Sequence, residues 1–340
     1  MTRTPHARPA KQPAVSVVMT CFNQRAFLAE AIESVLGQSY ADLELIVVDD
    51  GSSDNSATLV RSYRDPRLSY VWQENAGPSA ATNRGIEQAR GQHIALMGGD
   101  DVCAASRVAV QLDQLRRGYD IVFCLPKLID SHSEEVPDYR HLSFFQKPFA
   151  SSDELYSRLF RDGNFLCGSS AFAHRSFFER LGKFRVGLIQ LQDFDLWVRA
   201  CRSAARMALF AERLVRYRVR DDGMNLSSLR HSARIRFELH SIYAEFFGDA
   251  SATLLQRAFP GEIGEDALDN PIALEVDLAF LYFGHPSDLV RSIGIGMLIR
   301  FFDSAAHTAE LAGRGFGPRH LFQMMNQVQP FAAHAEAARA

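Results

Sequence analysis

Through the first 125 residues, short apolar runs alternate with stretches whose apolar residues recur at helical spacing. Runs at 15–20, 43–48, 68–72, 93–97 and 120–125 predict strands. Between them Phe27, Ala31, Ile32, Val35 and Leu36 share one helical face, as do Leu59, Val60 and Tyr63, and segments 79–89 and 104–117 have the same period. This order predicts an α/β fold: a Rossmann-like, mostly parallel sheet with right-handed crossovers and helices on both faces. The alternation stops near residue 126. Residues 130–150 are polar and aromatic with Pro137 and Pro148, which predicts a long functional loop. Stretches 165–172 and 188–197 are apolar again, and 212–219 has the character of a late strand. From about Leu229 apolar residues recur at helical spacing over 235–247, 272–283 and 288–302, with Gly261, Gly264, Pro271 and Pro286 as breaks. The expected organisation is a disordered leader over 1–13, a catalytic domain over 14–228, a helical C-terminal region over 229–335 and a frayed tail over 336–340.

Two strand ends carry acids. Leu43 to Val48 runs into Asp49-Asp50-Gly51, and His93 to Met97 runs into Gly98-Gly99-Asp100-Asp101. Gly51 permits the tight turn that leaves both aspartates at the carboxyl end of a buried strand. In parallel sheets ligands sit beyond those ends, so up to four carboxylates would meet there, a set suited to a divalent cation and a polar nucleotide. The turn after the first strand, Thr20-Cys21-Phe22-Asn23-Gln24-Arg25, contains no glycine. It therefore lacks the dinucleotide fingerprint, and the chain has no P-loop, which removes most support for dehydrogenase and NTPase readings.

Composition narrows the classes further. The 340 residues are 47% hydrophobic and 23% charged, enough for a sizeable core and about two domains. A net charge of −3 argues against wholesale nucleic-acid binding. Five widely spaced cysteines without a C-x-x-C pair read as reduced thiols of a cytoplasmic protein. The leader has basic residues and prolines but no apolar core, unlike a secretory signal. No stretch reaches the ~18–20 apolar residues of a membrane span, while peripheral contact with the inner face of a membrane is compatible with the sequence.

Taken together, the motifs resemble the family 2 glycosyltransferases, enzymes of the type-A glycosyltransferase fold with nucleotide-sugar donors. The likeness runs from about Val15 to Ser228. It is carried by Val15-Ser16-Val17-Val18-Met19-Thr20 with Asn23, by Val48-Asp49-Asp50-Gly51-Ser52-Ser53-Asp54, and by Asn75-Ala76-Gly77-Pro78-Ser79 through Asn83-Arg84-Gly85-Ile86 to Ala89-Arg90-Gly91. Gly99-Asp100-Asp101 falls at the family's D-x-D metal motif, and Gln192-Asp193-Phe194-Asp195-Leu196-Trp197 resembles the segment holding its catalytic base. Two positions depart: Gly98 replaces the first aspartate of the metal motif, and Gln192 replaces the glutamate before the base. Losing that glutamate should leave Asp193 with a less elevated pKa than in a carboxylate pair.

The resemblance implies inverting transfer of a sugar from a nucleotide-diphosphate donor to a hydroxyl of a glycan or lipid-linked acceptor, as in cell-surface polysaccharide synthesis. It implies Asp100 as ligand to Mg²⁺ or Mn²⁺ with Asp101 beside it, Asp193 as general base, and donor contacts from Thr20, Asn23, Asp50, Gly77, Asn83 and Asp101. Arg216, Arg218 and Arg220 alternate on the late strand before Asp221-Asp222-Gly223, where relatives often place basic residues over the diphosphate; Arg218 and Arg220 are the candidates. Arg220 stands where relatives frequently carry histidine, and an arginine cannot ligate a metal.

Each motif also has a structural reading. Asp49-Asp50-Gly51 suits a solvated turn, Asp101 or Ser106 a helix N-cap, Asp193 and Asp195 the start of a helix, and Trp197 packing beneath it. His93 and His174 lack metal-ligand spacing, and Asn225-Leu226-Ser227 is a glycosylation triplet that a cytoplasmic chain would not use. The rival of a different class is a catalytically silent nucleotide-sugar binding module, which Gly98 and Gln192 make plausible.

Overall fold

The structure, a computed structural model, describes residues 12–136, 145, 147–220 and 232–329. Most of the expected leader, Pro137, the Asp221-Asp222-Gly223 turn, the Asn225 triplet and the frayed tail lie outside them. The chain forms two compact units. One is Met1–Lys147 with Leu166–Gly187 and Met207–Asp221; the other is Pro148–Phe165 with Leu188–Arg206 and Asp222–Ala340. This division differs from a single cut at 228/229, because segments 148–165 and 188–206 pack with the C-terminal helices.

The first unit is built on an eight-stranded sheet: β1 Val15–Cys21, β2 Leu43–Asp49, β3 Leu68–Trp72, β4 His93–Gly98, β5 Val102–Cys103, β6 Ile121–Ile129, β7 Phe172–His174 and β8 Met207–Arg218. Their order is β3-β2-β1-β4-β7-β6-β8-β5. Strands β3, β2, β1 and β4 are parallel, joined by α1 Arg25–Leu36, α2 Ser56–Ser62 and α3 Pro78–Gln88. Every residue of β2 is buried, which accounts for its nearly unbroken aliphatic run. Val15, Val17, Met19, Leu45 and Val47 pack with Leu28, Ile32 and Val35 of α1. At ~1.5–3 kcal/mol per fully buried aliphatic side chain, this layer is a major source of the unit's stability.

The sheet is mixed beyond β4. β7 pairs antiparallel with both β4 and β6, and β5 pairs antiparallel with β8. Both inserted strands are only two or three residues long, too short for a period-2 signal. The amino ends of the parallel strands are closed by a buried network. Glu44 accepts from the Ser16 hydroxyl at 2.6 Å and from the Arg90 guanidinium at 2.7 Å, and the Gly91 amide donates to Ser16 Oγ at 2.8 Å. With the amino edge committed to structure, the carboxyl edge is the one open to chemistry.

The second unit is helical. Its helices are Ser152–Asp162, Gln192–Arg202, Ser232–Ala244, Ala252–Ala258, Pro271–Phe283, Asp288–Phe301, Ala305–Gly313 and Pro318–Met325. One core is aromatic: Tyr156, Phe160, Phe194, Tyr243, Phe246 and Phe259 stack or meet edge to face. The buried hydroxyls are satisfied by backbone carbonyls, Tyr156 on Phe246 at 2.7 Å and Tyr243 on Phe160 at 3.0 Å. A second core gathers Val276, Ala279, Leu298, Leu311 and Leu321. Ser151, Ser251 and Asn270 cap the helices they precede through side-chain oxygens. No helix among the described residues is long and apolar enough to cross a membrane.

Candidate functional site

The acidic ends of β2 and β4 emerge on either side of β1, because Thr20 is in register with Val48 on one side and Gly98 on the other. Two strand spacings put these ends roughly 10 Å apart. The two pairs of aspartates then diverge in role. Asp49 is fully buried and closes its own turn: it accepts from the Ser52 amide at 2.8 Å and the Tyr70 hydroxyl at 2.7 Å. Asp50 accepts from Gln73 Nε2 at 2.7 Å and from the Ala76 and Gly77 amides, each at 2.9 Å. Gly77, at φ 89, and Gly51, at φ 80, supply the left-handed backbone that these turns need. Asp50 therefore builds the Asn75-Gly77 loop, and most of its acceptor capacity is spent on that loop rather than offered to a nucleobase.

Asn23 has a related task. It is itself at φ 51, takes an amide bond from Ser53 at 2.8 Å and donates its own amide to Ser52 Oγ at 2.9 Å, pinning the turn after β1 to the turn after β2. Thr20 contributes its carbonyl to the Gly99 amide at 2.9 Å. Asn83 faces elsewhere: its side chain exchanges two hydrogen bonds with the Phe184 backbone, at 2.8 and 2.9 Å. The structure gives it an anchoring role, where donor contact was expected. Phe22 is an exposed aromatic at this edge, 44% accessible, that motif reading passed over.

Asp100 and Asp101 form the other group. A side chain built on Gly98 would start 2.9 Å from Asp100 Oδ1, 3.0 Å from Asp101 Oδ2 and 3.5 Å from Ser169 Oγ. The two carboxylates thus converge over a bare α-carbon, and glycine at this position is what lets them. Burial pushes Asp100 up from the ordinary carboxylate range, against the charge of Arg220. Asp101 is pushed up to about 7, first by burial and then by Asp100, against hydrogen bonds from Ser169 and the Arg218 amide. Two carboxylates desolvated in a shared space favour further positive charge beyond that of Arg218 and Arg220, and oxygen donors of this kind suit Mg²⁺ or Mn²⁺. The described residues contain no cluster of three or more His, Cys, Asp or Glu, so a cation here would complete its shell from donor oxygens or water. The residues fit the metal on those terms.

Arg218 holds this group together. Its amide reaches Asp101 Oδ1 at 3.0 Å, and Nε donates to the Asp100 carbonyl at 2.8 Å. The remaining nitrogens meet the Asp130 carbonyl at 2.6 Å, Glu30 at 2.7 Å and Ser133 Oγ at 3.0 Å, over the face of Phe27. The side chain is fully buried. It is a clamp on the acidic turn, where contact with the donor diphosphate was expected. Arg220 also lies over the Phe27 ring, 5.3 Å from its centroid, and acts on Asp100 through charge. Arg216 pairs with Glu30 at 3.7 Å. Ser169, on the short turn Gly168–Ser170, was missed from sequence; its hydroxyl also accepts from the Gly98 amide at 3.2 Å. Nothing in a Gly-Ser-Ser triplet 71 residues away signals that contact.

Asp193 belongs to the second unit, in the first turn of helix Gln192–Arg202. Its carboxylate accepts from the Phe194 amide at 2.8 Å and from the Asn164 side chain. Burial is the main influence on it and raises its pKa to about 6, with Glu238 adding to the rise. The elevation expected to be lost with Gln192 is thus supplied by the surroundings. Asp195 pairs with Arg199 at 2.8 Å, and Trp197 is completely buried, so packing is its role.

A family model described as glycosyl transferase family 2 matches residues 16–182. An uncharacterised glycosyltransferase of Rickettsia typhi is 30% identical over 219 residues, 62% of this chain and 65% of that protein. Another from Methanocaldococcus jannaschii is 26% identical, over 64% of this chain and 75% of its own. The chain spans only about a third to two thirds of the length of several such relatives. Staphylococcus aureus TarS 1–349 in complex with UDP shares the fold at a TM-score of 0.56 and 17% identity, covering 83% of this chain and 88% of that one. Its complex with UDP-GlcNAc aligns at 0.56 and 18%, over 82% and 83%. The match to the family 2 model thus covers residues 16–182, just under half of the chain.

Proposed function

We propose that the protein is an inverting glycosyltransferase that moves a sugar from a nucleotide-diphosphate donor to an acceptor hydroxyl. The observation that carries this reading is the convergence of Asp100 and Asp101 over Gly98 at the carboxyl edge of a family 2 sheet, with Arg218 clamping the turn. TarS, the fold neighbour, holds UDP and UDP-GlcNAc, which supports a nucleotide-sugar as donor here. Asp100 and Asp101 would hold Mg²⁺ or Mn²⁺, whose chemistry is to neutralise charge developing on the departing diphosphate. The turns that Asp50 and Asn23 organise offer backbone groups to the nucleoside, and Phe22 offers a ring face to its base. Arg220 adds positive charge beside the acids.

Asp193 removes the proton of the acceptor hydroxyl as that oxygen attacks the anomeric carbon; the bond to the diphosphate breaks in the same displacement, inverting the centre. A carboxylate raised to about 6 is a stronger base than a solvated one and is still ionised at neutral pH. The acceptor is a glycan or lipid-linked hydroxyl, and peripheral contact with the inner membrane face accords with such a substrate.

The test is sugar transfer from a panel of UDP-, GDP- and dTDP-sugars with Mn²⁺, wild type against Asp193→Asn. Loss of turnover with donor binding intact supports the reading. Donor binding by a wild type without turnover would point instead to a silent binding module.

A further inference from the structure

The helical C-terminal segment holds no motif of its own, yet one of its side chains reaches the turn that leads to Asp193. Glu238, on helix Ser232–Ala244, is nearly inaccessible to solvent. Its carboxylate accepts from three successive amides: Ile189 at 3.0 Å, Gln190 at 2.9 Å and Leu191 at 2.8 Å. One buried carboxylate receiving three backbone amides fixes their geometry. Those three residues immediately precede helix Gln192–Arg202, so the clamp sets where that helix begins and where its second residue, Asp193, stands. Arg234, one turn earlier on the Glu238 helix, donates to the Gln190 side chain at 2.9 Å and ties the same turn again.

Asn164, which follows helix Ser152–Asp162, hydrogen-bonds the Asp193 carboxylate itself. Its amide can donate to an ionised carboxylate and so favours the charged form. Glu238 is a like charge and disfavours it. The charged neighbours on the base's own helix, Asp195 and Arg199, neutralise each other as an ion pair at 2.8 Å. Gln192, which replaces an acid at the preceding position, carries no charge.

We propose that Asn164 and Glu238 are positioning residues for the general base: Asn164 holds the Asp193 carboxylate by a hydrogen bond, and Glu238 locks the 189–191 turn that leads to it. The base is set between one group that eases proton loss and one that resists it. The second charge that a neighbouring glutamate would supply is thereby provided from a helix some 45 residues along the chain. The proposal rests on Asp193 being the base.

The experiment is a pH titration read in two ways on the full chain: the acid limb of kcat/KM for transfer, and the ¹³C carboxyl shift of Asp193 in aspartate-labelled protein, assigned by its loss in Asp193→Asn. Wild type should titrate near 6 in both. Asn164→Leu should move both titrations to higher pH and Glu238→Gln should move both to lower pH, each by on the order of one unit. Opposite displacements cannot arise from general loosening of the turn, and Asn164→Leu alone decides the matter if Glu238→Gln fails to fold. Lowered kcat with unmoved titrations, or shifts of the same sign, would overturn the proposal. Full turnover in Asp193→Asn would instead remove the base assignment, and the ¹³C shifts would then report on Asn164 and Glu238 without it.

Discussion

Burial acts on carboxylates in both units, with different consequences. In the sheet unit Asp100 and Asp101 lose water together and share one small space, so each raises the other's need for a positive partner. In the helical unit Asp193 loses water without a paired acid, with Asn164 as a hydrogen-bond donor and Glu238 as a like charge. On the proposed reading the pair takes a cation and the single group acts as the base. Desolvation by itself therefore assigns no role, and the neighbours within a few ångströms decide it.

The largest expected effect comes from removing the lone carboxylate. Asp193→Asn should lower kcat by roughly 10²- to 10⁴-fold with donor affinity little changed, measured by transfer kinetics and calorimetry. Near-wild-type turnover would end the contrast drawn above. Next is the pair. Mn²⁺ should tighten donor binding to wild type, and Asp100→Ala should abolish that dependence, seen by calorimetry with and without the cation; equal wild-type affinities would show that the pair binds no metal with donor. Arg218→Met should destabilise the sheet unit by about 3–5 kcal/mol in urea unfolding, since Glu30 and the carbonyls of Asp100 and Asp130 would lose a buried partner.

Gly98→Asp, which restores the family's first acid, should reduce activity about tenfold or more, on the order of ~1.4 kcal/mol of barrier, because the new side chain meets both carboxylates at about 3 Å. A gain in activity would mean the turn has room it does not show. The smallest effect is on stability. A carboxylate raised from 3.8 to about 6 on folding costs nothing below the unfolded value, and its cost grows as pH climbs from 3.8 to about 6. Asp193→Asn should therefore melt higher than wild type at pH 7 and equal to it below about pH 4, in thermal scans across pH.

Much of the sheet unit is visible in local pattern. The runs at 15–20, 43–48 and 93–97 became β1, β2 and β4 within a residue, because strands buried on both faces leave unbroken aliphatic stretches, and 68–72 became the half-exposed edge strand β3. The acids after β2 and β4 were legible for the same reason: an apolar run that ends in aspartate and glycine must deliver those groups to a strand end. The three main C-terminal helices also followed from spacing, whereas Ala252–Ala258, Ala305–Gly313 and Pro318–Met325 are too short for a clear period.

Sequence alone thus determined which strand ends carry acids, a property of nine or ten consecutive residues, and the family they resemble, a property of motif order from Val15 to Ser228. Tertiary structure decided what each acid does. Asp49 and Asp50 turned to bracing loops through Tyr70, Gln73 and Gly77, 21 to 27 residues away. Ser169 reached Gly98 across 71 residues and Arg218 reached Asp101 across 117. A carboxylate's role follows from the donors and charges within hydrogen-bonding distance, and the folded chain brings those from positions that no local pattern connects.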